Sequence, residues 1–549
     1  MEQQLRSFDG QGNMIRTGRD CVGETGVVSA GRAEAAAIGR DILAQGGNAI
    51  DAAVATAFAL GVCEPNASGL GGGGFMLLRD GKTGKSVFLD FRETAPQAAA
   101  PDMYTPKAPG SNVDIRERNV YGGMSAATPG EVAGLFYALE HYGTMTPAQV
   151  IAPAAKLARE GYVVTPMLHG DMEAHKDHLR QYGAGWKIYL KDGEPFAVGD
   201  TVKNPDLADT LDKLAAGGKD AFYKGEIAEK MLAAVQKDGG VLSQADLDGF
   251  SVRVLEPVRG TYRGYEILSS PPPSSGGTHV IEILNVLENF DVGAMEVNSA
   301  EYLHLFSEAC KLCYADRAKY MGDPKFVKVP LTGLLSKDYA RTLAEKIDLR
   351  KAHAPEYGDP LPYESMSTTH VSIADREGNL VAMTRTINHF FGSSLVPEGL
   401  GFLLNDEMED FSIDPTSANA VAGGKIPLSC MSPTFILKDG QPVAVLGSPG
   451  GIRIISSVAQ VISKLIDHKM TLEEAVSSPR MGDDQTDEII LEGRIPESTR
   501  ETLRAMGHRV KVYDDWHRIV GAVNSVMFRP DGSLCGMGDP RRDGFALGR

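Results

Sequence analysis

The chain has 549 residues, with 55 Lys and Arg against 72 Asp and Glu, and therefore a formal net charge of −17. Its 42% hydrophobic and 23% charged residues are typical of a globular protein and exclude a disordered, collagen-like or disulfide-rich chain. The acidic balance, without a dense basic stripe, excludes a general nucleic-acid binder because it repels phosphate. Length alone, at about 150 residues per domain, would suggest three or four domains.

The N-terminal residues are polar and mixed in charge, without the apolar core of a signal peptide. No stretch approaches the roughly 18 to 20 apolar residues of a membrane span. We therefore expect no membrane span and a cytoplasmic protein as the sequence stands, or a periplasmic or secreted one if a signal has been removed. The six cysteines are too sparse for a disulfide framework. Cys310 and Cys313 form a CxxC in a predicted helix without a second pair or a histidine, which favours two buried thiols over a metal or redox site.

Apolar spacing predicts helices and a first hairpin in the N-terminal half. Residues 33–62 have the pattern of a helical hairpin broken at Gly46-Gly47, and residues 73–80 and 85–96 read as strands around the turn GKTGK. Further predicted elements are amphipathic helices over most of 129–249, a strand and rigid PPPSSGG loop within 264–277, and helices over 278–290 and 299–320.

Residues 350–367 are rich in Pro, Gly and charge and are expected to form an exposed, flexible loop. The next segment, TTHVSIADREGNLVAMTRTIN, alternates in hydrophobicity around a REG turn and predicts a β-hairpin. If Asp375 faces Asn379, Thr368 lies opposite Thr386 and His370 opposite Thr384. Strands are also predicted over 401–406, 433–439 and 441–447, then a helix over 452–467 and antiparallel strands over 508–514 and 523–540. These elements favour an α+β fold with two antiparallel sheets covered by helices.

Two glycine clusters resemble the sequence motifs of ligand-binding loops. Gly69-Leu-Gly-Gly-Gly-Gly74 matches GxGxxG, but it opens a strand instead of a helix, so we interpret it as close backbone packing and not as a nucleotide site. Gly447-Ser-Pro-Gly-Gly451 lies between a predicted strand and helix, where free backbone N–H groups suit an oxyanion. It also allows Ser448 as an elbow nucleophile, although the spacing is not GxSxG.

Thr368 lies where the predicted loop joins a strand. A threonine hydroxyl is a poor nucleophile without a base, and one solution is to make it the first residue of a chain so that its own α-amine accepts the proton. That amine has a reference pKa of about 7.7 to 8.0, which suits proton transfer at neutral pH. A cut between Ser367 and Thr368 would provide this arrangement, although a Thr-Thr pair opening a strand is also common on propensity alone.

Several motifs along the chain are specific when taken together. They are GGNAIDAAVA (46–55), SGLGGGGFML (68–77), DFRETAP (90–96), YGTMTPAQV (142–150), PPPSSGG (271–277), YADRAKYMGDP (314–324), STTHVSIAD (367–375), TRTIN (384–388), LLNDEMEDFS (403–412), PLSCMSPT (427–434) and GSPGG (447–451). Through these motifs the chain resembles the γ-glutamyltransferase (glutathione hydrolase) family of N-terminal-nucleophile hydrolases over roughly residues 27 to 541. The resemblance implies a four-layer αββα sandwich, with two antiparallel sheets between helical layers.

The resemblance also implies the catalytic residues. Thr368 matches the nucleophile, and Thr386 the threonine that supports its amine. Gly450 and Gly451 match the oxyanion-hole glycines. The precursor is then expected to cut itself between Ser367 and Thr368, giving a large subunit 1–367 and a small subunit 368–549 that form one intertwined fold without a covalent link.

The implied substrate pocket has both signs of charge, as a glutamyl zwitterion requires. Arg92 matches an arginine on the α-carboxylate, where a guanidinium fork fits well, and Ser429 a serine on the same carboxylate. Asn388, Glu407 and Asp410 match residues that hold the α-ammonium. Read in isolation, Arg92 beside Glu93 would be a plain ion pair.

Two departures from the family pattern affect the pocket. Many relatives have a second serine where this chain has Cys430, whose thiol is a weaker hydrogen-bond donor. Residues 411–428 are short and lack the aromatic-tipped lid insertion of some relatives. We therefore expect an open site that accepts bulky γ-glutamyl compounds.

The sequence thus predicts a self-cleaving γ-glutamyltransferase/glutathione hydrolase that acts on glutathione and other γ-glutamyl amides through a Thr368 ester, with water, amino acids or peptides as acceptors and no metal or organic cofactor. Three alternatives remain. They are a glutaryl-type β-lactam acylase or related amidohydrolase of the same fold, an unprocessed binding protein, and a hydrolase that uses Ser448.

Overall fold

The computed structural model describes residues 6–104, 115–353, 367–483 and 488–549. Within them the strands are β1 (Asp20–Gly23), β2 (Gly26–Ala30), β3 (Gly73–Arg79), β4 (Ser86–Asp90), β5 (Tyr162–Val163), β6 (Leu190–Lys191), β7 (Glu194–Pro195), β8 (Thr201–Val202), β9 (Arg253–Leu255), β10 (Val258–Tyr262), β11 (Tyr265–Ser269), β12 (Thr369–Asp375), β13 (Leu380–Thr386), β14 (Thr434–Lys438), β15 (Gln441–Gly447), β16 (Met481–Gly482), β17 (Glu488–Glu492), β18 (Arg509–Tyr513), β19 (Asn524–Phe528), β20 (Leu534–Met537) and β21 (Phe545–Gly548).

The helices of the same residues are α1 (Ala33–Ala44), α2 (Ala49–Cys63), α3 (Ile115–Val120), α4 (Glu131–Tyr142), α5 (Pro147–Glu160), α6 (Pro166–Gln181), α7 (Gly185–Tyr189), α8 (Pro205–Gly217), α9 (Asp220–Tyr223), α10 (Gly225–Lys237), α11 (Gln244–Gly249), α12 (Gly276–Leu287), α13 (Ala300–Tyr320), α14 (Leu331–Leu334), α15 (Lys337–Ala344), α16 (Arg453–Ile466), α17 (Leu472–Ser477) and α18 (Glu497–Ala505).

Two seven-stranded sheets form the centre of the molecule. The first, sheet A, has the order β21-β2-β12-β13-β3-β4-β9, and the second, sheet B, has the order β1-β20-β19-β15-β14-β11-β10. Every pairing within the two sheets is antiparallel. The predicted pair of antiparallel sheets is therefore confirmed.

Helices cover the outer face of each sheet. On sheet A, α1 and α2 pack against β2, β12 and β13, and on sheet B, α12 and α16 pack against β10, β11 and β15. The inner faces meet where β12 contacts β15 and β19. Successive side chains of β3 point to opposite faces of sheet A. Met76 packs in the core under the helices, and Phe75 packs in the core between the two sheets. The four layers are those of the predicted αββα sandwich.

Both sheets contain strands from before and after residue 368, and the two sets pair directly with each other. In sheet A, β12, β13 and β21 from the later part pair with β2 and β3 from the earlier part. In sheet B, β14 and β20 from the later part pair with β11 and β1. The described residues therefore build one layered unit around the sheets, where length alone would suggest three or four domains.

The helical hairpin before the sheets is confirmed, with local signals at its break. Gly46 has φ +93°, which favours glycine after α1, and Asn48 begins α2 by accepting from the backbone N–H groups of Ile50 and Asp51. The Asp51 carboxylate accepts from the Asn48 N–H in return. This capping box fixes the start of a helix that is buried along nearly its whole length.

Three expectations about elements were wrong. Residues 401–406 are no strand, because Leu404 and Asn405 bond to separate loop segments and Gly401 has φ +73°. Strand β18 pairs with β17 in parallel, since α18 lies between them and a helical crossover returns the chain in the same direction. Ser367, expected in an exposed loop, is buried; residues 354–366 of that loop lie outside the described residues.

Cys310 and Cys313 lie on α13, and both thiols are free and buried, which confirms their assignment as core residues. Burial raises the pKa of both thiols. Among the helices described, none combines the length and the apolar character needed to cross a bilayer.

Candidate active site

The Thr368 side chain lies at the N-terminal entry to β12 and is buried, with 5% exposure. Strands β12 and β13 pair in the predicted register, because the Asp375 N–H bonds to the Asn379 carbonyl and His370 pairs with Thr384. The Thr368 hydroxyl donates to Thr386 Oγ1 at 3.2 Å. Thr368 also has φ +138°, a conformation that β-branched residues rarely adopt and that costs of order 1–3 kcal/mol. The backbone is thus strained at the predicted cleavage point.

Thr386 connects Thr368 to the next predicted site residue. Its Oγ1 accepts from the Asn388 backbone N–H at 2.8 Å. The Asn388 side-chain amide donates to the Asp406 carbonyl at 3.2 Å and to Glu409 Oε2 at 3.3 Å. One chain of contacts therefore runs from the hydroxyl of Thr368 to the acidic segment after residue 405.

The glycine cluster at 69–74 allows this part of sheet A to close. A Cβ on Gly72 would lie 2.1 Å from the Thr386 carbonyl oxygen, and one on Gly74 would lie 2.5 Å from that of Thr384. Only glycine permits this approach of β3 to β13 beside Thr386, which confirms the packing interpretation of the cluster.

The loop Gly447–Gly451 follows β15 and precedes α16, as predicted. A Cβ on Gly447 would lie 2.2 Å from the His370 ring, so the loop starts directly over β12. Gly450 and Gly451 have φ +135° and +59°, where glycine is favoured. The Ser448 hydroxyl is buried, donates to the Pro449 carbonyl at 2.7 Å and accepts from Ala522 N–H at 2.9 Å. That hydroxyl is committed to holding the loop and is poorly placed to be a nucleophile.

Arg92 is buried after β4, and its described ion pairs are with acids distant in sequence and not with the neighbouring Glu93. Its Nη2 lies 2.8 Å from Glu407 Oε2 and also contacts the Asp410 carboxylate. Its Nε donates to the Pro427 carbonyl at 3.2 Å, and Nη2 to the Leu428 carbonyl at 3.2 Å. The structure thus brings Arg92, Glu407 and Asp410 together beside the segment that carries Ser429.

Carboxyl groups outnumber cations in this region. Burial raises the pKa of Glu93 and of Glu409 to about 8, and raises that of Glu407 well above its usual value. Neither carboxyl oxygen of Glu93 has a hydrogen-bond partner in the described parts of the chain. The excess of acids makes the region favourable for an added ammonium group.

The PPPSSGG loop holds the segment of Ser429 and Cys430. The Ser429 carbonyl accepts from the backbone N–H of Ser275 at 2.8 Å and from its hydroxyl at 2.7 Å. The Ser429 hydroxyl accepts from Met431 N–H at 3.2 Å, and Arg317 Nη2 donates to Cys430 Sγ at 3.0 Å. The rigid loop and the YADRAKY helix therefore both position this wall of the candidate pocket.

The chain is similar to known proteins over nearly its whole length. The family model for gamma-glutamyltranspeptidase matches residues 35–549. The chain belongs to this family. It is 42% identical over 531 residues to the glutathione hydrolase proenzyme of Escherichia coli (strain K12), covering 94% of this chain and 90% of that protein. The family resemblance found in the sequence is therefore confirmed.

Two solved structures have a similar fold. The cephalosporin acylase from Bacillus halodurans is similar with a TM-score of 0.90, 29% identity and coverage of 99% of both chains. A gamma-glutamyltranspeptidase chain from Helicobacter pylori is similar with a TM-score of 0.55 and 39% identity, and the match covers 60% of this chain and 91% of that one. The chain is thus similar in structure both to a gamma-glutamyltranspeptidase and to an acylase.

The sequence did not indicate several residues that lie in this candidate site. Glu409 holds the Asn388 side chain, and Arg542 Nη1 donates to the Thr368 carbonyl at 2.8 Å. His389 Nδ1 lies 2.6 Å from Asp406 Oδ2, directly after Asn388. The acidic run EMED was a visible signal for Glu409, but nothing local to Arg542 or Asp406 indicates these distant partners.

The His389–Asp406 pair gives a pH-dependent contribution to stability. Burial disfavours the charged imidazole, but the Asp406 carboxylate outweighs it and raises the pKa of His389 to about 10 from 6.5. Because the folded pKa is the higher one, this stabilisation is complete below pH 6.5 and is lost as the pH rises through 10. We expect His389→Gln to lower the free energy of unfolding by about 1–3 kcal/mol at pH 6. Denaturant titrations should show this difference shrinking towards pH 10, and a constant difference would contradict it.

Cys430→Ser tests the departure from the family pattern. A serine hydroxyl is the stronger donor for a substrate carboxylate, and we expect the KM for a γ-glutamyl anilide to fall about threefold with kcat unchanged. Cys535→Ser on β20, also a partly exposed thiol, is the control. Steady-state kinetics in which Cys430→Ser and Cys535→Ser behave alike would exclude a role for the thiol.

One group of described residues has metal-ligand character outside this site. His304, Glu308 and His508 place their donor atoms within 4.8 Å of one another. The two imidazoles hydrogen-bond directly, with His304 Nδ1 2.7 Å from His508 Nε2, and the Lys311 ammonium lies 2.8 Å from Glu308 Oε1. Because these donor atoms already have partners and a cation is already present, we interpret the group as a structural polar cluster.

Proposed function

We propose that this chain is a self-cleaving γ-glutamyltransferase and glutathione hydrolase whose nucleophile is Thr368. The observation that carries the proposal is the buried, strained Thr368 with its hydroxyl hydrogen-bonded to Thr386. Family membership and the name of the Escherichia coli relative support the choice of γ-glutamyl chemistry.

Self-cleavage starts when Thr368 Oγ1 attacks the carbonyl carbon of Ser367. The C–N bond to Thr368 breaks, the nitrogen takes a proton and becomes the free α-amine, and Ser367 is left as an ester on Oγ1. Water then hydrolyses this ester, which gives a large subunit 1–367 and a small subunit 368–549. Because both sheets contain strands of both parts, the subunits remain together without a covalent link. The word proenzyme in the relative's name, and the Helicobacter pylori chain that matches 60% of this one, support processing.

Turnover uses the newly formed amine as the base. Thr368 Oγ1 attacks the γ-amide carbonyl, and its proton passes to the Thr368 amine and then to the leaving amine. The oxyanion forms against the N–H groups of Gly450 and Gly451. Each donor lowers the activation free energy by about 3–4 kcal/mol. Water or an acceptor amine then takes the γ-glutamyl group from the threonine ester. None of these steps needs a metal or organic cofactor.

Recognition of the glutamyl end uses charges that pair with one another before substrate binds. Arg92 lies between Glu407 and Asp410, and a zwitterion can replace this pairing with its own two charges. Its α-carboxylate then bonds to Arg92 and Ser429, with Cys430 beside them, and its α-ammonium to Asn388, Glu407 and Asp410.

The second candidate function is that of a glutaryl-type acylase, whose substrate lacks the α-amine of a γ-glutamyl group. A glutaryl-type acylase is favoured by the close structural likeness to the Bacillus halodurans cephalosporin acylase. The test compares two anilides that differ only in the α-amino group, γ-glutamyl and glutaryl. We expect kcat/KM to be at least 100-fold higher for the γ-glutamyl anilide, and equal or reversed values would favour the acylase.

The short segment at 411–428 gives a prediction for larger substrates. Its described residues fold on themselves, with Lys425 Nζ donating to the carbonyls of Ala418 and Ala420. We expect a γ-glutamyl peptide several residues longer than glutathione to be hydrolysed with kcat/KM within about fivefold of that of glutathione. A strict preference for glutathione in a direct kinetic comparison would contradict an open site.

A further inference from the structure

Arg542 lies behind the predicted cleavage point and contacts the nucleophile residue directly. Its side chain is buried, with 6% exposure of the residue, and Nη1 donates to the Thr368 carbonyl at 2.8 Å. Its neighbour Arg541 instead bonds to Glu492 and Asp539. Two adjacent arginines therefore have separate partners, and only Arg542 reaches Thr368 among the contacts described.

A buried polar cluster surrounds Arg542. A small cavity is lined by Arg32, Glu64, Asn66, Asp171, Arg518, Arg542 and Asp543 together with apolar neighbours. Asp171 binds Arg518 through two bonds of 2.6 and 3.0 Å and accepts from the Asn66 amide at 2.8 Å. Burial and the neighbouring Arg518 lower the pKa of Arg542 to about 10, and the carboxylates of Glu64 and Asp171 offset only part of this cost.

The same cluster reaches the other side of the cleavage point. The Ser367 hydroxyl donates to the Asn66 carbonyl at 3.0 Å. The residue before the bond is held by Asn66, and the residue after it by Arg542 at the carbonyl and by Thr386 at the hydroxyl. Contacts of this kind are what a strained φ needs in order to persist, because the surroundings must determine the backbone on several sides.

We propose that Arg542 is a positioning residue for the nucleophile, which holds the Thr368 carbonyl so that Oγ1 stays directed at the Ser367 carbonyl carbon during self-cleavage and at the substrate carbonyl afterwards. This inference rests on the proposed function. A charged donor at 2.8 Å is a strong hydrogen bond in a buried setting. Without it, the Thr368 backbone relaxes from φ +138° and its hydroxyl turns away.

The test compares Arg542→Gln with Arg518→Gln, which removes the same charge from the same cluster without touching Thr368. The precursor is purified early, and its self-cleavage is followed on denaturing gels. We expect Arg542→Gln to cleave at least tenfold more slowly than Arg518→Gln, with similar thermal unfolding midpoints. After processing is complete, kcat for a γ-glutamyl anilide should fall about tenfold while KM stays within twofold, because the substrate pocket is untouched.

Arg542→Lys keeps the charge but loses the rigid fork, and we expect it to cleave about threefold more slowly than the wild type. Equal cleavage rates of Arg542→Gln and Arg518→Gln would overturn the proposal. If Arg542→Gln does not fold, a wild-type cleavage rate of Arg542→Lys overturns it instead. A wild-type chain that never cleaves would contradict the proposed function itself, so the two failures are distinct.

Discussion

A Thr368→Ala chain is expected to remain one uncut polypeptide and to lose turnover by about 10⁴-fold or more. The physical reason is that one hydroxyl serves as nucleophile in both reactions, and removing a nucleophile removes the covalent route altogether. Denaturing gels after prolonged incubation and a γ-glutamyl anilide assay measure the two effects on the same sample. The Thr368→Ala chain should still fold, because alanine is less restricted than threonine at the φ of this residue. A test of folding is therefore the third measurement.

Thr369→Ser is the matched control, since Thr369 is the adjacent buried threonine and begins β12. It should process and turn over within a fewfold of the wild type. Turnover retained in Thr368→Ala but lost in Ser448→Ala would instead identify the loop serine as the nucleophile. An uncut wild-type chain without activity would favour an unprocessed binding protein.

Arg92→Gln is expected to lower kcat/KM for a γ-glutamyl anilide by about 10² to 10⁴-fold, mainly through KM. The substitution removes a charge-assisted fork from the substrate carboxylate and leaves buried acids around Glu407 without their cation. Losses of about 1.5–3 kcal/mol from the first and about 1–3 kcal/mol from the second give this range. Steady-state kinetics with the mature enzyme provide the measurement.

Self-cleavage should continue in Arg92→Gln, because Arg92 contacts the segment at 427–428 and the acidic residues and has no described bond to Thr368. Arg253→Gln is the control, since Arg253 pairs with the buried Asp90 at 2.6 Å near the same strand. An Arg92→Gln enzyme with unchanged KM, or with the same loss as Arg253→Gln, would contradict a role in binding the carboxylate.

Much of the central sheet could be predicted because its signals are local. The REG turn fixes the hairpin register, and with it the pairing of His370 with Thr384 follows from counting residues. The glycines at 69–74 indicate close backbone approach wherever their partner lies. The strand prediction for residues 401–406 was wrong: the short apolar run at 402–404 resembles a strand, but the backbone bonds of Leu404 and Asn405 go to separate loops.

The contacts around the site could not be predicted in the same way. Arg542 is 174 residues from Thr368 in the sequence, and Glu64 is more than 300 residues from Thr368. No local sequence pattern can therefore predict that these residues lie near one another. Arg92 has an acidic neighbour in sequence, yet it pairs with Glu407 and Asp410, which only the folded chain brings near. The parallel pairing of β18 likewise depended on whether α18 crosses over, which strand propensity does not encode.

The central claim is that the chain cuts itself immediately before Thr368 and uses that residue as an N-terminal nucleophile. The most direct measurement is the N-terminal sequence of the smaller fragment of the purified, fully active protein. We predict a single sequence that begins Thr-Thr-His-Val-Ser, from residue 368. An active protein that remains one chain, or a fragment that begins at any other residue, would contradict the account.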